Sequence, residues 1–168
     1  MANLERRTLP ERFDCLHLRV EADWLTWCCS DGVRNKGGWL AAMRSEPDAG
    51  AANGLCPDGS KPNAACYRNV GQVTKWLLHA RGVMRGHTVF VATGASRETL
   101  APLADAFDVR MHARDPARKH AFMDYTAAAV QKLVCTLADR FYGKSGSSFT
   151  ADILRMRGRK MRRMSWLY

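Results

Sequence analysis

Residues 13–24 (FDCLHLRVEADW) carry side chains suited to holding an anion. His17 and Arg19 stand two positions apart where an apolar run ends. A guanidinium withdrawn from water needs an anionic partner, and a phosphate group accepts two parallel hydrogen bonds from it. The stretch therefore predicts a phosphate contact for Arg19. A structural salt bridge with Glu21 or Asp23 is the alternative that stays open.

A second stretch, residues 143–150 (GKSGSSFT), has the composition of an anion-binding turn. Its glycines free the backbone, and Ser147 and Ser148 open a predicted helix. Free amides at a helix start, together with hydroxyl groups, can cradle a phosphate. The alternative is an ordinary serine N-cap. Phe149, just inside the helix, could stack on a base or fill the core.

The residues predict no metal site. The sequence has neither a D-x-D pair nor a C-x-x-C pair, although it contains six cysteines. We predict that Cys15 and Cys135 are plain core residues. The other four flank a Gly/Asn/Pro-rich stretch, where one disulfide, such as Cys28 or Cys29 with Cys66, would suit an oxidising compartment.

The composition is that of one globular domain with a basic surface. Of 168 residues, 46% are hydrophobic, and 26 Lys and Arg against 16 Asp and Glu give a formal charge of +10. This charge favours an anionic partner, which could be a nucleotide, a nucleic acid or an anionic membrane. No secretory leader or membrane-spanning run is visible, which predicts a cytoplasmic protein if the chain is complete.

The pattern of apolar residues predicts an α/β fold: a Rossmann-like, doubly wound, mostly parallel sheet. The predicted strands are 13–20, 87–93, 108–112 and 140–144, and the predicted helices are 67–83, 97–107, 123–139 and 147–160. Pro102 is expected to kink or shorten the second of these helices. In such sheets ligands bind at the carboxyl ends of the strands, where Arg19 is predicted to lie.

The predicted domain comprises residues 13–160 and includes a long loop at 46–66. A polar tail, 1–12, precedes it, and a basic and aromatic tail, 161–168, follows it. The basic run within 155–163 is most simply a solvated helix end. These boundaries leave both candidate anion-binding stretches inside one domain.

Taken together, the two stretches resemble a known family. The pattern H-L-R-x-x-x-D-W-x-x-x-C from His17 to Cys28, and the stretch from Cys135 to Gly158, are similar to two signatures of the GDP-fucose protein O-fucosyltransferases. The segment VFVAT at 89–93 fits the strand between them. The resemblance covers roughly residues 13–159.

The resemblance implies the carboxyl-terminal, donor-binding half of a two-domain GT-B glycosyltransferase. Such an enzyme transfers fucose from GDP-fucose with inversion and without a metal to a protein Ser or Thr or to a glycan. Arg19 would bind the β-phosphate and stabilise the departing GDP. The other donor-binding residues implied are His17 and Asp23 from the first signature, and Ser147 and Ser148 for phosphate with Phe149 beside the guanine from the second.

Two departures from the family pattern bear on activity. Gln131 stands where the family usually has an Asp, and no Gly-Asn-rich loop of the amino-terminal half is seen before residue 13. We therefore expect a fragment or a single-domain relative that is incomplete alone, placed by resemblance in the lumen of the secretory pathway. A sugar-nucleotide-binding module without turnover is the second hypothesis, and a basic nucleic-acid-binding protein is the third.

Overall fold

The computed structural model describes residues 9–29, 55–56, 59–64, 66–112, 125–158 and 165–167. The chain divides into two compact units. The first comprises Met1–Leu18, Met84–Gly94 and Ala106–Tyr168, and the second comprises Arg19–Val83 and Ala95–Asp105.

The first unit is built on a parallel sheet of five strands. In chain order these are β1 (Asp14–His17), β2 (Thr88–Ala92), β3 (Asp108–Arg110), β4 (Arg140–Gly143) and β5 (Ser165–Leu167). Their order across the sheet is β3-β2-β1-β4-β5, and every pairing is parallel. The central strand β1 is buried along its whole length: Cys15 and Leu16 contribute apolar side chains, and the polar residues Asp14 and His17 stand at its two ends. The predicted Rossmann-like α/β fold is confirmed.

Two helices of the first unit pack against each other, α4 (Tyr125–Leu137) and α5 (Ser148–Arg157), and α4 also contacts β1 and β2. The core on this side is apolar and consists of Phe13, Cys15, Phe90, Ala92, Cys135, Ala138, Phe141 and Ile153. The prediction for Cys15 and Cys135 was wrong in one respect. Both are buried in this core, but they form a disulfide, because β1 and α4 bring their Cα atoms to 5.1 Å.

Arg157, near the end of α5, closes the carboxyl end of α4. Its guanidinium donates hydrogen bonds to the backbone oxygens of Cys135, Ala138 and Asp139 at 2.9, 2.7 and 3.2 Å. These carbonyls lie where a helix leaves its last acceptors without partners of its own. Burial lowers the pKa of Arg157, and the charge of Asp139 opposes that effect.

A buried carboxylate stands at the start of β1. Asp14 is inaccessible to solvent, and it accepts hydrogen bonds from Arg140 Nε at 2.9 Å and Tyr142 Oη at 3.3 Å. Arg140 also reaches it through Nη2 at 2.8 Å, and His87 Nε2 lies 3.4 Å away. Burial would lower the pKa of Arg140, but the hydrogen bond and charge of Asp14 raise it. The ion pair joins the amino-terminal ends of β1 and β4.

The second unit is helical in its described parts. It contains α1 (Ala22–Cys29), α2 (Val70–Lys75), which continues as a π-helical segment, Trp76–Ala80, and α3 (Ala101–Ala104). Asn69 and Gln72 form a reciprocal capping box that fixes the start of α2. Disulfides Cys28–Cys66 and Cys29–Cys56 tie neighbouring residues of α1 to the segment before α2. The predicted Cys28 or Cys29 to Cys66 bridge is thus present, and a second bridge accompanies it.

Four elements differ from the sequence predictions. Strand β1 ends at His17, so Arg19 lies in the connection to α1 and not within the strand. Helix α3 has only four residues and begins next to Pro102, as the proline predicted, while Ser96 Oγ accepts the Thr99 N–H of the preceding turn. Helix α1 and strand β5 were not predicted, and β5 lies in the segment assigned to the carboxyl-terminal tail.

Candidate functional site

The strand order of the first unit marks one place for ligand binding. From β1 the sheet extends through β2 to β3 on one side and through β4 to β5 on the other. In doubly wound sheets ligands bind beyond the carboxyl ends of the strands where the order reverses, which here lies between β1 and β4. His17 is the last residue of β1, and Gly143 is the last residue of β4.

The two sequence signatures meet at this point. His17 Nδ1 and Thr150 Oγ1, both buried, share a hydrogen bond of 2.7 Å. The His17 ring also stacks on Phe149, with centroids 4.5 Å apart and planes inclined by 28°. The structure therefore brings together His17 and Phe149, two of the predicted donor-binding residues. Sequence reasoning assigned Thr150 to the helix start but missed it as the partner of His17.

Gly143 permits this contact because it has no side chain. A Cβ at this position would lie 2.5 Å from Thr150 Cγ2 and 2.9 Å from Phe141 Cε1, closer than real Cβ contacts. The first turn of α5 can thus lie directly against the end of β4. The signature glycine is explained by this close approach of strand and helix.

The loop from β4 to α5 borders an open depression with a volume of about 330 Å³. Gly146 has a positive φ of 78°, which turns the chain into the helix. Ser147 is the N-cap of α5, but its hydroxyl makes no capping hydrogen bond with the helix amides. Ser147 therefore occupies the predicted N-cap position, but its side chain does not make the hydrogen bond that an N-cap serine usually makes. The depression is lined by Lys144, Ser145, Gly146, Ser147, Ser148, Thr150, Ala151 and Leu154.

Lys132 places positive charge beside the aromatic side chain of the site. Its Nζ lies 5.2 Å from the ring centroid of Phe149 and donates to Asp152 Oδ2 at 2.6 Å. The hydrogen bond and charge of Lys132, followed by the charge of Arg155, lower the pKa of Asp152. Lys132 thus links α4 to α5 through its hydrogen bond with Asp152 and its contact with the Phe149 ring. The sequence alone did not identify Lys132.

Gln131, the position that departs from the family pattern, lies near the carboxyl end of β2. Its Nε2 donates to the backbone oxygen of Thr93 at 3.3 Å, and Thr93 directly follows that strand. A carboxylate at this position could not donate that hydrogen bond. The amide therefore has a structural partner of its own.

Arg19 belongs to the second unit and is paired there. Its Nε lies 3.5 Å from Glu21 Oε2, and its guanidinium carbon lies 5.2 Å from the centroid of Trp24. The salt bridge with Glu21, which sequence reasoning left open, is thus observed. Burial, and then the charge of Glu21, raise the pKa of nearby Tyr67. Asp23 lies in α1, but its side chain is outside the described residues.

The sequence model of the family described as GDP-fucose protein O-fucosyltransferase matches residues 2–160. The chain belongs to this family. Membership in the O-fucosyltransferase family implies sugar-nucleotide glycosyl transfer of the fucosyltransferase type, with GDP-fucose as the donor and a protein as the acceptor. The parallel sheet and its reversal of strand order agree with the Rossmann-like fold of such a donor domain. No curated protein matches the sequence of the chain significantly.

Two further properties of the described residues concern metals and membranes. Within the ranges that the structure describes, no three His, Cys, Asp or Glu side chains cluster as metal ligands would. None of the described helices has the length and apolar character needed to cross a membrane.

Proposed function

We propose that this O-fucosyltransferase domain binds GDP-fucose and serves inverting, metal-independent transfer of fucose. The contact of His17 with Thr150 and Phe149 supports the proposal most strongly, because it unites both family signatures at the reversal of the sheet. A structural histidine alone would need neither the adjacent serine-lined depression nor the open N-cap of α5.

The serine loop is the proposed phosphate site of the first unit. The hydroxyls of Ser147 and Ser148, with the backbone amides of the first turn of α5, would donate hydrogen bonds to the oxygens of a phosphate. Ser148 is exposed, and Phe149 is only partly buried, which leaves ring surface for the guanine. His17 would then support the nucleotide from the end of β1.

Arg19 is the proposed catalytic residue. In a transfer without a metal, negative charge develops on the leaving GDP, and a positioned cation must offset it. Arg19 would do so at the β-phosphate. Loss of a group with this role raises the barrier by about 2.7 to 4 kcal/mol. Glu21 would hold the guanidinium until the donor arrives, and Asp23 would complete the donor-binding set.

The proposed acceptor is a Ser or Thr of a protein, with a glycan as the other acceptor chemistry. In a GT-B enzyme the reaction takes place between two domains, so we propose that a second half completes the cleft over this donor domain. The three disulfides support a lumenal, secretory location, because thiols of cytosolic proteins are kept reduced.

Calorimetry with GDP and with GDP-fucose tests the proposal. Measurements with EDTA, which removes divalent cations, test whether binding needs a metal. We expect binding by the wild type and a loss of about thirtyfold or more in Arg19→Ala, the value of one charged hydrogen-bonding group. Arg85→Ala is the matched control, because Arg85 is exposed and precedes the amino-terminal end of β2, whereas the candidate site lies at the carboxyl ends of the strands. Equal affinity of Arg19→Ala and the wild type would refute the phosphate role.

Turnover separates the enzyme from the binding module. Release of fucose from GDP-fucose, or its transfer to an acceptor peptide, would support the catalytic proposal. GDP binding without either reaction, even when a second domain is supplied, would favour the non-catalytic module.

A further inference from the structure

The adjacent cysteines of α1 make two bridges with different surroundings. Cys28 is bonded to Cys66, whereas Cys29 is bonded to Cys56. The two bridges span 38 and 27 positions, so they restrict the unfolded chain to a similar extent. Their local roles, in contrast, are distinct.

The Cys28–Cys66 bridge positions the backbone oxygen of Cys66, which is the hydrogen-bond acceptor of the Trp24 indole. Cys66 accepts a hydrogen bond at its carbonyl oxygen from Trp24 Nε1 at 3.2 Å. A second link, from the Asn63 N–H to the Cys28 oxygen at 3.1 Å, keeps the same segment against α1. One apolar cluster contains Trp24, Leu25, Cys28, Cys29, Cys66 and Tyr67, so both bridges border it, but only Cys66 accepts the hydrogen bond of the indole. The orientation of the indole therefore depends on this bridge.

The indole in turn faces the proposed catalytic cation. The Arg19 guanidinium carbon lies 5.2 Å from the Trp24 ring centroid, within the range of a cation–π contact. Its contact with Glu21, at 3.5 Å, is long for a charge-assisted hydrogen bond. An arginine side chain has several rotatable bonds, so a fixed ring surface restricts where its charge can lie.

We infer that Trp24 is a positioning residue for Arg19, and that the Cys28–Cys66 disulfide sets the affinity for the β-phosphate of the donor through the Cys66 carbonyl and the Trp24 ring. The inference deepens the proposed function and rests on it. It assigns to Cys28, the cysteine of the first signature, a role in donor binding, whereas the hydrogen bond of the Trp24 indole goes to Cys66 and not to the Cys29–Cys56 bridge.

The test compares the binding of GDP and GMP by calorimetry. GMP lacks the β-phosphate, so a displaced Arg19 weakens GDP binding and leaves GMP binding unchanged, whereas a damaged fold weakens both. For Trp24→Ala and for Cys28→Ala/Cys66→Ala we expect GDP affinity to fall about five- to tenfold, as for a lost cation–π contact. Trp24→Phe keeps a ring but loses the N–H donor, and we expect a loss of about two- to threefold.

The double variant Cys29→Ala/Cys56→Ala is the matched control, and its GDP affinity should stay within about twofold of the wild type. Equal losses in the two double variants, or a parallel loss of GMP binding, would overturn the inference. Arg19→Ala distinguishes this failure from failure of the proposed function. If Arg19→Ala loses GDP affinity while the Trp24 variants keep it, the phosphate role stands and the positioning role is wrong.

Discussion

Thr150 Oγ1 lies 2.7 Å from His17 Nδ1, although 133 positions separate the two residues in the sequence. The contact joins the end of the central strand to the first turn of α5. It makes the geometry of the candidate site dependent on the packing of that helix.

Replacing Thr150 by Val should therefore destabilise the domain. Valine keeps the shape of the side chain but removes the hydroxyl from buried His17, at an expected cost of about 1 to 2 kcal/mol. Thr150→Ser restores the hydroxyl and should recover most of this stability. Urea denaturation measures both, with exposed Thr99→Val as the control. Equal stability of the Val and Ser variants would contradict the assigned hydrogen bond.

Alanine at Gly143 should also be destabilising, but through crowding. Its Cβ would lie 2.5 Å from Thr150 Cγ2, so the first turn of α5 must move, at a cost of about 1 to 3 kcal/mol. Gly71→Ala in α2 provides a control of opposite sign, since its nearest contact is an ordinary 3.5 Å and alanine favours a helix by about 1 kcal/mol. Thermal unfolding of the two variants should shift in opposite directions. Similar shifts would argue against the close approach.

Arg157 should be among the most sensitive positions of the first unit. Arg157→Ala removes the hydrogen bonds to the carbonyls at the end of α4, including those of Cys135, Ala138 and Asp139, and we expect a loss of at least about 3 kcal/mol. Arg157→Lys should not restore it, because an ammonium lacks the planar fork that reaches several acceptors. The control is Arg155→Ala, on an exposed side chain paired with Asp152, with an effect below about 1 kcal/mol. Rescue by lysine would show that charge alone suffices.

The pair of Lys132 and Asp152 predicts a response to acid. Lys132 lowers the pKa of Asp152 in the folded protein. The ionised carboxylate therefore stabilises the fold at pH values above the pKa of Asp in the unfolded chain. That contribution is lost as the pH falls through the lowered pKa. In Lys132→Ala the pKa of Asp152 should rise towards the ordinary range of an aspartate, with the charge of Arg155 still lowering it, and carboxyl NMR can follow this change. An unchanged titration would contradict the assigned contact.

The cysteine pairing can be counted directly. The six cysteines form three disulfides, and none is free. Denatured, unreduced protein should therefore show no reactive thiol, and the reduced protein should show six. Peptide mapping without reduction should recover Cys15–Cys135, Cys28–Cys66 and Cys29–Cys56. Two free thiols at Cys15 and Cys135 would restore the prediction made from the sequence.

The sheet could be predicted because its strands carry local signals. Segments 13–20, 87–93, 108–112 and 140–144 each contain an observed strand, because short β-rich runs between loop and helix signals indicate strands of an α/β sheet. Helix α1 was missed although Trp24, Leu25 and Cys28 recur at helical spacing, because the eight-residue stretch was interpreted only as part of the family signature. Strand β5 has only three residues and depends on pairing with β4.

The site could be predicted only in part, for the same physical reason. The family resemblance implied His17 and Phe149 as site residues, and the two meet, but neither it nor the residue pattern indicated that Thr150 is the hydrogen-bond partner of His17. Burial of Cys15 and Cys135 was predicted from their apolar surroundings. Their bond depends on how α4 packs over β1, and no local pattern encodes that distance.

The bond between Cys15 and Cys135 has a consequence for biosynthesis. The two cysteines stand 120 positions apart, and the other four lie between them. During translation Cys15 meets each of those four before its native partner has been made. Thiol–disulfide exchange must then correct early mispairing, so we expect maturation in cells to depend on an oxidoreductase that reshuffles disulfides.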